Sequence, residues 1–143
     1  MRNPQKNYTL AKQAIDIARK TVPNLKFLYP KDVAHSDIKY YLNAADILLL
    51  TSLKEGSSNI VKEAMACNTP IVAVPIGDVS WLLENVTNSY VVDYKPQSIA
   101  DAVENIVQSG CHRSNGRDML LAKQLDDESV SKKITDIYEK LVD

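Results

Sequence analysis

The chain has 143 residues, and 17 basic against 18 acidic side chains leave a formal charge of −1. At 45% hydrophobic and 24% charged it can build a folded core, and it lacks the basic excess of a nucleic-acid or anionic-membrane surface. Its longest aliphatic runs, residues 47–50 and 71–74, fall far short of the roughly 20 residues of a membrane span. No apolar segment follows the N-terminal Arg2, as a secretory signal requires. The two cysteines, Cys67 and Cys111, belong to no disulfide framework or standard zinc motif. One domain in a reducing cytoplasm is the expectation.

The first periodic segment is residues 8–20, where Ala11, Ala14, Ile15 and Ala18 follow the spacing of an amphipathic helix. Pro23 and Asn24 break it, and residues 25–29 read as a short strand stopped by Pro30. Ser36 can cap a short helix reaching Asn43, and residues 47–50 have the length and composition of a buried strand. A helix over residues 58–67 then precedes a strand at 70–74, and a short helix at 79–84 precedes a strand at 89–93. The remainder is helical. Ile99, Ala102, Val103 and Ile106 share one face, ended by Gly110, and Val130, Ile134, Ile137 and Leu141 share another. Strands alternating with helices predict an α/β fold with a parallel sheet.

In such sheets ligands bind beyond the carboxyl ends of the strands, at turns running into helix N-termini. The turn of most unusual composition is residues 51–59, which follows the most hydrophobic strand. Gly56 allows close backbone approach, and Ser57, Ser58 and Asn59 are capping-type residues. Free N–H groups of the first helical turn attract a phosphate, although these residues alone fit an ordinary capped helix equally well. Two carboxylates bracket the turn. Glu55 and Glu63, eight positions apart, lie of order 12 Å apart along a helix. A glycoside-hydrolase pair sits only about 5 to 9.5 Å apart. The spacing therefore suits two contacts on an extended ligand better than an acid/base pair, unless Glu55 is simply solvated and Glu63 an exposed helix residue.

Residues 55–66, followed by Asn68, Thr69, Pro70, Ile71 and Val72, closely resemble the E-x7-E region of glycosyltransferase family 4. These are retaining, metal-independent enzymes of the GT-B fold that use nucleotide-sugar donors. Residues 42–46 and 48–52 resemble the family's preceding helix and strand. Residues 76–79 resemble the loop after the next strand, and residues 2–7 its Arg/Lys loop. The helix at 128–142 resembles the one that packs back towards the other half of the enzyme. The resemblance implies a Rossmann-like parallel sheet flanked by helices, the C-terminal, donor-binding half of such an enzyme, over residues 1–143. It further implies that Glu55 contacts the donor sugar and supports charge at its anomeric carbon. Gly56, Ser57, Ser58 and Asn59 then meet the diphosphate, Glu63 accepts from the ribose hydroxyls, and Arg2 and Lys6 neutralise the leaving diphosphate. No metal or other cofactor is implied. The implied partners are a nucleotide-diphosphate sugar and a sugar, polysaccharide or lipid-linked acceptor, in a cytoplasmic enzyme of polysaccharide biosynthesis peripheral to the membrane.

Two departures from the pattern matter. The family's domain begins with a strand ending just before the Arg/Lys loop, where this sequence starts. The N-terminal domain that recognises the acceptor also has no counterpart. The expectation is therefore an incomplete domain with little or no turnover by itself, and a non-catalytic truncated or split module is the alternative. Residues 33–35 are the candidates for base contacts. His35 and His112 otherwise read as solvated loop residues, Cys67 as a small apolar group, and Trp81 as core in preference to cleft lining.

Overall fold

The computed structural model describes residues 4–142. A single 3-10 turn, Pro4–Lys6, leads into α1 (Tyr8–Ala18). Then come α2 (His35–Ala44), β1 (Leu48–Leu50), α3 (Asn59–Ala66), β2 (Ile71–Ala73), α4 (Val79–Leu82) and β3 (Tyr90–Val91). Three helices follow without a strand: α5 (Pro96–Gln108), α6 (Gly116–Ala122) and α7 (Asp127–Val142). The strands form one parallel sheet in the order β1-β2-β3, with Leu48 opposite Ile71 and Val72 opposite Tyr90. The fold is α/β, a parallel sheet between layers of helices.

Period-two alternation along β2 assigns its side chains to two cores. Ile71 and Ala73 join Leu50, Val61, Met65, Val79 and Leu82 on one side of the sheet. Val72 and Val74 join Leu10, Ala14, Ile99, Val103 and Ile106 on the other, where α1 and α5 pack against each other. Both faces are dry. Ile71, Val72 and Val74 have no exposed surface, and burying each such side chain contributes about 1.5–3 kcal/mol. A charge at Val72 would find no partner in that layer and would unfold it.

On the first side α6 presses on α3. A Cβ on Gly116 would lie 2.7 Å from the Met65 Cα, so only glycine admits this approach. By contrast α7 leaves Ile134, Ile137, Tyr138 and Leu141 at least half exposed.

Three sequence expectations need correction. Residues 25–29 form no strand, because no described strand lies beside them to pair with. Ser36 does not cap α2; the helix begins at His35 after an extended Ala34, without a side-chain cap. Trp81 is not core: it is 49% exposed, with the Lys123 ammonium 4.8 Å from its ring centroid, a cation–π contact.

Candidate functional site

β1 is short because Thr51 turns the chain away from the sheet. Its hydroxyl donates to the backbone oxygens of Lys6 and Asn7, at 3.0 and 3.2 Å, and the Leu53 amide donates to Gln5 O at 2.7 Å. The carboxyl end of β1 thereby holds the turn that carries Lys6, and Nζ of Lys6 reaches Oε1 of Glu55 at 2.6 Å. Glu55 is mostly enclosed, its side chain 17% exposed. Burial works to raise its pKa, but the Lys6 hydrogen bond, the nearby Ser52 hydroxyl and the Lys6 charge together outweigh burial, so the carboxyl is held below its ordinary value.

From Glu55 the chain passes Gly56, where a Cβ would meet open space, and enters α3. Ser58 is the N-cap residue, but its own side chain makes no capping bond. The cap comes from another loop. Oδ2 of Asp78 accepts from the Ser57 hydroxyl at 2.6 Å, and Oδ1 lies 3.4 Å from the Ser58 amide. A carboxylate beside the positive end of a helix is electrostatically favoured. Asp78 reaches this point because Gly77 adopts φ +54°, so close under the turn that a Cβ would run into the Gly56 carbonyl oxygen. Ser58 meanwhile buries a hydroxyl that finds no hydrogen-bond partner.

Glu63 lies on α3, 29% exposed, with its Oε1 2.9 Å from Nε2 of His35 at the start of α2. A carboxylate only accepts, so Nε2 carries the hydrogen. His35 is itself 88% exposed, so the pair opens to solvent.

Of the residues expected at the site, Lys6 and Glu55 meet directly, and Gly56, Ser57, Ser58 and Asn59 form the entrance to α3. Glu63 follows along the same helix. Arg2 lies outside the described residues. Two contacts escaped sequence reasoning: the approach of Asp78, 20 positions beyond Ser58, to the start of α3, and that of His35 to Glu63. Among the described residues no three His, Cys, Asp or Glu side chains gather as a metal-binding set. No described helix is long and apolar enough to cross a membrane. The arrangement can offer helix amides and an ammonium to an anion, and two carboxylates to hydroxyl groups further along.

Known proteins share the sequence pattern and the fold of this chain. Residues 4–109 match the family described as Glycosyl transferases group 1. The D-inositol 3-phosphate glycosyltransferase of a Nocardioides strain is 25% identical over 148 residues, which cover 98% of this chain and 31% of that protein. The protein of the same name from Mycobacterium tuberculosis is 30% identical over 94 residues, 65% of this chain and 19% of its own. Sucrose-phosphate synthase from Thermosynechococcus elongatus shares the fold, with a TM-score of 0.73 at 19% identity, over 92% of this chain and 34% of that one. The chain thus spans about a third or less of the length of these relatives.

Proposed function

Because the chain belongs to the glycosyl transferases group 1 family, we propose that it holds the nucleotide-diphosphate sugar donor of a family 4, retaining glycosyltransferase. The observation that carries this reading is Lys6 seated on Glu55 at the mouth of α3. There a cation from the Pro4–Lys6 turn meets a partly buried acid that stands just ahead of the α3 amides.

In the transfer, the bond between the anomeric carbon and the diphosphate oxygen breaks, and an acceptor hydroxyl oxygen bonds that carbon on the same face while its proton passes to the departing diphosphate oxygen. Negative charge builds on the departing diphosphate. Lys6 and the amides of Ser57 and Ser58 stabilise it, with no metal required. Glu55 accepts hydrogen bonds from the donor sugar and faces the positive charge growing at the anomeric carbon. Glu63 accepts from the ribose hydroxyls. The acceptor, a sugar, polysaccharide or lipid-linked hydroxyl, is recognised by parts of an enzyme beyond this domain, in the cytoplasm.

Titration calorimetry with UDP, GDP and ADP tests the reading. Binding of at least one nucleotide, weakened by Lys6→Ala, is the expected result; no heat with any of the three in folded protein would overturn it. A second reading, that this polypeptide binds donor without turning it over, is favoured by its covering about a third or less of the enzymes it matches. Turnover by the purified chain would reject it.

A further inference from the structure

We propose that Tyr94 is a positioning residue for Glu55. Its hydroxyl clamps the Ser52–Leu53 peptide, and that clamp sets the turn on which Glu55 stands. Only the part Glu55 plays towards the donor sugar rests on the reading above.

Tyr94 follows β3 and Ser52 follows β1, so the contact joins two loops at the carboxyl edge of the sheet, with β2 between their strands. Oη of Tyr94 donates to the Ser52 carbonyl oxygen at 3.2 Å. The amide of the same peptide group, Leu53 N, donates to Gln5 O at 2.7 Å. One peptide is thus held at both polar ends by segments distant in sequence, and hydrogen bonds linked through one peptide strengthen each other.

The aim of Tyr94 is set locally. Lys95 N donates to Asp93 O at 2.8 Å, closing a three-residue turn with Tyr94 at its tip. Tyr94 keeps a negative φ, which makes this the inverse γ-turn common at strand ends. Nζ of Lys95 pairs with Oδ2 of Asp93 at 2.7 Å across the same turn, and Pro96 opens α5 directly after it with a fixed φ. Tyr94 is 40% exposed, so burial of its ring does not by itself account for its place.

The clamp bears on Glu55 by two routes. Ser52 is 1% exposed, so without Tyr94 its carbonyl either stays buried and unpaired, which is costly, or turns away with its peptide. A turned peptide breaks the bond from Leu53 to Gln5, and with it the seam that keeps Lys6, the next residue, against Glu55. Ser52 also brings its own hydroxyl near the Glu55 carboxyl, where it favours the charged form.

Tyr94→Phe removes one oxygen and keeps the ring. In the ligand-free chain, NMR should show exchange of the Leu53 amide accelerating about fivefold more than exchange in Ile71–Ala73. The Glu55 titration midpoint should move up towards its ordinary 4.5. Calorimetry with UDP, GDP and ADP, and with UDP-glucose, GDP-mannose and ADP-glucose, then separates the two ends of the site. For a nucleotide that the wild-type chain binds, the variant should keep nucleotide affinity within about twofold and bind the sugar conjugate about threefold or more weakly. An unmoved Glu55 titration overturns the proposal. So does uniform acceleration of exchange across the sheet, or an equal loss for nucleotide and conjugate. Failure of the wild-type chain to bind any nucleotide would defeat the donor-site reading instead, and the two ligand-free measurements would still decide the role of Tyr94.

Discussion

The Lys6 ammonium nitrogen stands 2.6 Å from Oε1 of Glu55, a carboxylate 49 positions later in the chain. Lys6 is 44% exposed, so the pair contributes little to stability, within about 1 kcal/mol. Lys6→Met should therefore leave the urea midpoint almost unchanged while weakening nucleoside diphosphate binding by about tenfold, a typical loss for a charge-assisted contact. The small stability difference has a defined pH dependence. Folding lowers the Glu55 pKa from its ordinary 4.5, so the contribution is complete above that value and disappears as pH falls through the lower, folded one. Urea titrations of both proteins between pH 3 and 7 check this; a difference that grows on acidification would contradict it.

Asp78 places a negative charge where a diphosphate is proposed to sit. Asp78→Asn keeps an oxygen acceptor for Ser57 but removes the charge from the α3 N-terminus. It should lose about 0.5–1 kcal/mol of stability and bind nucleoside diphosphate several-fold more tightly. Denaturation and calorimetry on the same preparation read both. Tighter binding absent, or stability unchanged, would separate the two parts of this account.

Gly77→Ala must strain a left-handed backbone and push a methyl group into the Gly56 carbonyl oxygen. A cost of about 1–3 kcal/mol follows, with weakened nucleotide binding because the Glu55–Gly56 backbone has to move. An alanine variant with wild-type melting would show that the two loops are not in contact in solution.

Glu63→Ala should reduce affinity for nucleoside diphosphates while leaving binding of inorganic pyrophosphate unchanged, since the lost contacts are to ribose. His35→Gln retains a donor for Glu63 and should cost less than His35→Ala. Parallel titrations with UDP and pyrophosphate distinguish this from general damage to the site.

Much of this architecture is legible in the residues because burial imposes period. Ile71 to Val74 reads as a strand apolar on both faces because helices cover both faces, and Ala11, Ala14, Ile15 and Ala18 declare the inner stripe of α1. The Glu55–Ser58 turn is legible from composition. What escapes is whatever depends on a partner distant in sequence. Residues 25–29 carry strand chemistry, but no described strand lies beside them. The cap of α3 comes from Asp78, although Ser58 and Asn59 are the local candidates. Several turns are also hidden, since Asn7, Asn68, Asn85 and Asn88 adopt the left-handed conformation expected of glycine.

The knot at the end of β1 has a mechanical consequence. Thr51 and Leu53 grip the backbone of residues 5–7 through three hydrogen bonds. A pull applied ahead of Pro4 is therefore carried into the loop bearing Glu55 before it can peel α1 from the sheet, and motion of any attached body would be felt first at the acid.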